Sequence, residues 1–151
     1  MMLKHLEKLL RQLGVICIAL LFLLMITQVV LRYGFGYTHF FTEELGRYLL
    51  VWGTLAGMAL ETRCNGHIRV SFISDRLSPA IKRRWTFILD ALSLLIFILL
   101  VYTGIDSMIF NHGQESPGLQ IPLSLPFLAL PLFFAFAVLF TLARLLKRGH
   151  D

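Results

Sequence analysis

Stretches without charge decide what this chain can fold into. Residues 12–31 run for 20 positions with no Asp, Glu, Lys or Arg, and 116–143 for 28, while 48–60 and 91–105 give shorter runs of 13 and 15. A helix rises about 1.5 Å per residue and a bilayer core is about 30 Å thick, so one span needs roughly 20 residues. The first and last runs reach across unaided. The middle two reach only if their helices take in charges near their ends. A helix over 42–63 then holds Glu43, Glu44 and Arg47 in its first turns and Glu61 in its last, and one over 82–110 holds Asp90 and Asp106. The chain is 57% hydrophobic and 15% charged, against about 25% charged in an ordinary soluble domain. A single soluble core of 151 residues cannot hide that much apolar surface, so lipid must serve as the missing solvent. A soluble enzyme, a disordered tail and a disulfide scaffold are excluded, the last by a count of two cysteines.

The basic residues set the orientation. Three segments hold 12 of the 14 Lys and Arg: the N-terminal tail (Lys4, Lys8, Arg11), the loop 63–84 (Arg63, Arg69, Arg76, Lys82, Arg83, Arg84) and the C-terminal tail (Arg144, Lys147, Arg148). The remaining two, Arg32 and Arg47, flank the first outer loop. Four spans with both termini in the cytoplasm obey the positive-inside rule, whereas two, three or five put a basic segment on the wrong side. The first apolar run is too long for a signal-peptide core and is followed by Arg32 and Tyr33, not by a small-residue cleavage site. The predicted fold is an all-α integral membrane protein: one membrane domain over 1–151, a bundle of four transmembrane helices at about 5–32, 42–63, 80–111 and 124–147, N-in and C-in. Val70, Ile73 and Leu77, with Arg69 and Arg76, also allow a short interfacial helix in the cytoplasmic loop.

Several side chains are candidates for polar contacts. Thr42 is expected to cap the second helix, with Glu43 and Glu44 favourable at its positive end. Arg47 shares a helix face with both acids, and Arg32 ends the first helix on the same side, so ion pairs among these four, or with a partner, are expected. Asp90 and Asp106 lie toward opposite ends of the third helix. Asp90 reads either as a partner of nearby cytoplasmic Arg or Lys or as a functional acid, and a proton relay would need a longer chain of acids and histidines. Ser124 is expected to cap the last helix, with Pro126 tolerated in its first turn and Pro131 kinking it. Of the five histidines, His39 and His112 share a side but belong to loops, a poor arrangement for haem. Cys17 sits in a span and Cys64 in a loop, so no disulfide is expected between them. The sequence carries no Walker motif, GxGxxG, HExxH or serine nucleophile elbow.

Glu43-Glu44-Leu45-Gly46-Arg47-Tyr48-Leu49-Leu50-Val51-Trp52 is followed by Gly66-His67-Ile68-Arg69-Val70 and then by Ser116-Pro117-Gly118-Leu119-Gln120-Ile121-Pro122. This pattern resembles the small membrane subunit (Q-type, DctQ-like) of tripartite ATP-independent periplasmic (TRAP) transporters over nearly the whole chain. The resemblance implies a non-enzymatic accessory subunit in the bacterial inner membrane, part of a sodium-coupled secondary transporter. It implies two protein partners: a large M-type membrane subunit, which it scaffolds and stabilises, and a periplasmic binding protein that delivers an organic acid anion. It places substrate and sodium sites in the large subunit, and no cofactor, metal or nucleic acid with this chain. Arg32, Glu43, Glu44, Arg47, Trp52, His67 and Asp90 are the expected subunit-contact or structural polar residues. The substrate (a dicarboxylate, a sialic acid, a sulfonate or another acid) stays open. Two other readings are a membrane anchor for a redox enzyme, which a Soret band would reveal, and a self-sufficient homo-oligomeric transporter, which transport by this chain alone would reveal.

Overall fold

The computed structural model describes residues 2–36, 40–63 and 79–148. Its long helices are α1 (Met2–Phe35), α2 (Phe40–Arg63), α3 (Pro79–Phe110) and α5 (Ala129–Arg148), with a single turn, α4 (Ser124–Phe127), ahead of the last. No strand occurs among the described residues; one isolated bridge joins Glu115 and Pro122. Three stretches are long and apolar enough to cross a membrane: His5–Phe35, Ile81–Phe110 and Ser124–Leu146. The 24-residue α2 is the least apolar of the long helices, since charged residues occupy both of its ends.

The boundaries follow from local chemistry. Gly36, at φ 69°, ends α1 in a left-handed conformation that suits glycine. Helix α2 begins at Phe40, so Thr42 lies inside its first turn and not at the cap position expected for it. Nor does Ser124 cap: Leu123 precedes α4 with no side-chain capping bond, and Ser124 is already helical. Pro131 has no N–H to offer the Phe127 carbonyl, and the helix breaks beside that point, at Leu128, between α4 and α5. The expected proline kink is therefore a short break. Residues 64–78, on which the expected interfacial helix falls together with Cys64 and His67, and His39, lie outside the described residues.

The helices form an open series in which α1 packs on α2, α2 on α5 and α5 on α3. Small residues let α1 and α2 approach closely. A Cβ added at Gly14 would lie 3.8 Å from Ala56, one at Gly53 3.2 Å from Cys17, and one at Gly46 3.4 Å from Leu24. These pairs, with Glu7 beside Arg63, are placed symmetrically about the turn, which is the register of an antiparallel hairpin. Helix α3 approaches α5 at Gly104, where an added Cβ would stand 2.9 Å from Pro131 Cδ and 3.0 Å from its nitrogen.

Helix α5 supplies most of the core. Phe133 and Phe140 meet Leu10, Ala56 and Ala59, and Phe134 and Ala137 meet Phe97. Helices α1 and α3, at the two ends of the series, keep broad apolar faces open: Val15, Phe22, Leu23, Leu95, Tyr102 and Ile109 are each more than half exposed. In water such faces would drive aggregation; on a membrane protein they are the surface offered to lipid or to another subunit.

Candidate functional site: polar locks at the two ends of the helices

Glu44 organises the end where α1 stops, α2 starts and the 111–123 loop lies. It is buried on α2, and its carboxylate accepts the backbone N–H of Gly118 at 2.8 Å and of Leu119 at 3.0 Å, together with the hydroxyl of Tyr48 one turn along. The buried Ser116 side chain sits against the same pair. The loop is folded to present those two amides. The Ser116 N–H donates to the Ile121 carbonyl at 2.9 Å, Leu123 to Gln114 at 2.9 Å and Gln120 to Ser116 at 3.0 Å, with Gln120 in a left-handed conformation (φ 53°). Consecutive N–H groups on one carboxylate make charge-assisted bonds, the stronger kind. They tie the α3–α5 connection to the α1–α2 hairpin.

The neighbouring charges do not assemble as expected. Among the described residues, Glu43, Arg47 and Arg32 form no ion pair with one another or with Glu44. Glu43 and Arg47 are exposed, and the Arg32 guanidinium lies 5.9 Å from the centre of the Tyr33 ring. Glu44 turns inward to backbone donors and is not available to Arg47.

The opposite end, where both tails lie, is locked by arginines. Arg144 on α5 meets Asp90 on α3 at 3.2 Å, with the two side chains 13% and 5% exposed. The same guanidinium donates to the Thr62 carbonyl of α2 at 3.2 Å. One side chain therefore joins three helices and uses a carbonyl left open at the C-terminus of α2. Arg63 meets Glu7 of α1 at 3.6 Å and stacks 5.9 Å from the Phe140 ring, and Glu7 also meets Arg11 at 3.7 Å. Asp90 thus has the basic partner that was one of its two sequence readings, whereas Asp106 is exposed. Trp52 lies between the two locks, edge-to-face on Phe133 at 5.6 Å. The sequence did not single out Tyr48, Arg144 or the amides of Gly118 and Leu119 as contact-making groups. The clue available was Pro117-Gly118, a turn pair between two proline-marked apolar stretches.

Among the described residues, no three His, Cys, Asp or Glu side chains gather where they could hold a metal ion. Polar groups hold helices together at the two ends, and the middle is apolar. That layout defines a multi-pass membrane protein assembled from a few tightly tied helices. The family model for the DctQ component of tripartite ATP-independent periplasmic transporters matches residues 21–149, and the chain belongs to this family. It is 30% identical over 134 residues to the ectoine TRAP transporter small permease protein TeaB of Halomonas elongata, covering 85% of this chain and 69% of that one. It is also 29% identical over 115 residues to the isethionate TRAP transporter permease protein DctMQ of Oleidesulfovibrio alaskensis, covering 71% of this chain but 18% of that longer protein. The chain is accordingly a component of a TRAP transporter.

Proposed function

We propose that this chain is the stationary small subunit of a sodium-coupled TRAP transporter, and that it stabilises a large transport subunit in the bacterial inner membrane. All four long helices cross the bilayer, with both termini and the segment between α2 and α3 in the cytoplasm, a reading that the distribution of Lys and Arg supports. A periplasmic binding protein delivers an organic acid anion to the assembly. The substrate and sodium sites belong to the large subunit, and this chain takes no cofactor. The carrying observation is the division of surfaces. Glu44, Asp90 and Arg144 are committed to contacts within the chain, while the apolar sides of α1 and α3 stay open. A relative in which the matched stretch is 18% of one long permease supports placing that open surface against a larger membrane subunit.

The test is co-expression with the large subunit and the binding protein, followed by co-purification and uptake in reconstituted vesicles. The small subunit should co-purify, and its omission should abolish or strongly reduce uptake while the binding protein's substrate affinity stays the same. Uptake unaffected by omission would refute the role. Labelling of intact cells should reach a cysteine placed at Gly36 or Gly113 and not one at Ser78; labelling at Ser78 would refute the topology.

A further inference from the structure

Between α1 and α2 runs an open groove of about 610 Å³, walled almost entirely by apolar atoms and floored by Gly14, Gly53 and Gly57, with Ile18 and Phe22 along one side. Arg11 closes one end. The same arginine belongs to a second recess of about 350 Å³, lined by the charged residues Glu7, Lys8 and Arg63 as well. From Arg11 to Phe22 the helix rises about 17 Å. That is close to half of a bilayer core of about 30 Å, so the groove begins at the end bearing the tails and stops near mid-membrane.

We infer that this groove holds one anionic phospholipid from the leaflet at the N-terminal end of α1, its acyl chain lying over Gly14, Gly53 and Gly57 and its phosphate meeting Lys8 and Arg11. Three features favour that occupant. The length matches one leaflet, whereas a partner helix would follow α1 across the whole bilayer. The lining is apolar, as hydrocarbon requires. The charge is placed only at the mouth, where a headgroup lies. Glu7 faces the same recess, but it is held by Arg11 at 3.7 Å and Arg63 at 3.6 Å. With three basic groups against one acid, the mouth stays positive. The inference rests on α1 crossing the membrane, and it assigns the cleft between α1 and α2 to a structural lipid.

The test reconstitutes the full-length chain in nanodiscs of phosphatidylcholine with a minor fraction of phosphatidylglycerol and reads the retained lipid by native mass spectrometry. A basic group near an anionic headgroup favours it by about fivefold, so the wild type should retain phosphatidylglycerol enriched about fivefold or more over its share. Gly57→Leu puts its side chain into the groove from a position where an added Cβ meets nothing within 4 Å; it should keep its helical signal and lose the retained lipid. Lys8→Gln with Arg11→Gln should still retain lipid but in proportion to abundance. Equal retention by the wild type and Gly57→Leu, or no preference for phosphatidylglycerol in the wild type, overturns the inference. Cross-linking of Gly57→Cys to the large subunit also overturns it, giving the groove to a protein helix. Because the readout is lipid and not uptake, any of these failures leaves the transporter assignment standing.

Discussion

Gly104→Ala is the sharpest single perturbation of the helix packing. The added Cβ would stand 2.9 Å from Pro131 Cδ, 3.0 Å from Pro131 N and 3.2 Å from Leu130 Cβ, where carbon atoms prefer about 3.5–4.0 Å. Two of these neighbours belong to a proline ring that cannot rotate away, so α3 must back off from α5 by roughly 0.5–1 Å to restore contact distances. Overpacking of this kind costs about 1–3 kcal/mol, roughly a 5- to 150-fold change in an equilibrium constant. The displacement would also reach the Asp90–Arg144 contact, which joins the same two helices at 3.2 Å. The assay is unfolding of the chain in bicelles by graded addition of dodecyl sulfate, followed by tryptophan fluorescence. Gly104→Ala should unfold earlier than wild type. Gly57→Ala, whose Cβ meets nothing within 4 Å, should unfold no earlier than wild type. Adding Pro131→Ala removes the ring carbon and should recover part of the loss. A Gly104→Ala chain as stable as wild type would refute the close approach of α3 and α5.

At the tail end, Asp90→Asn or Arg144→Met should each destabilise the assembly by about 3–5 kcal/mol, because each removes one member of a buried ion pair. The double change Asp90→Leu with Arg144→Met should lie closer to wild type than either single change, measured by the same unfolding assay. At the loop end, Glu44→Ala should raise maleimide labelling of a cysteine at Leu119 severalfold by releasing the Gly118 and Leu119 amides. Glu43→Ala should leave that labelling unchanged, and equal effects of the two substitutions would contradict the inward turn of Glu44. Tyr48→Phe removes one donor to the same carboxylate and should give an intermediate labelling rate.

What the sequence carried openly was helix placement. Uncharged runs longer than a bilayer needs leave few alternatives, and Pro131 marks its own break through a missing donor. The caps were harder to read. Thr42 and Ser124 are good capping residues, yet Phe40 and Phe41 extend α2 ahead of Thr42 in a setting where backbone groups must be paired, and Ser124 is itself the first helical residue of α4. Glu44 was legible as a charge near the mouth of a helix but not as a buried acceptor. Its partners are backbone amides 74 and 75 positions away, and an amide leaves no mark on residue type. The same holds for Asp90: the kind of partner could be anticipated, while the choice of Arg144 among the basic residues of the tail end depends on α3 and α5 packing side by side.

Taken with the family, the two locks bear on which part of a transporter this chain can be. A moving element must exchange one set of contacts for another with little loss, and sliding would break the contacts seen here. Movement of α5 along α3 would pull Arg144 from Asp90 and drive Pro131 across Gly104. Movement of α5 along α2 would pull Arg144 from the Thr62 carbonyl and separate Trp52 from Phe133. At the other end, Glu44 holds the 111–123 loop to α2. Helices fixed at both ends and packed through small residues between them resist the internal rearrangement that alternating access demands. Such a piece keeps its internal packing during transport, as the stationary role proposed above needs, and inter-helix cross-links test this. A disulfide joining α2 to α5 through cysteines at Trp52 and Phe133 should leave uptake by the reconstituted transporter at its wild-type rate, once a control shows that the double substitution in its reduced form is active. Loss of uptake on oxidation, restored by reduction, would mean that these two helices move against each other during transport, and the stationary role would have to be given up.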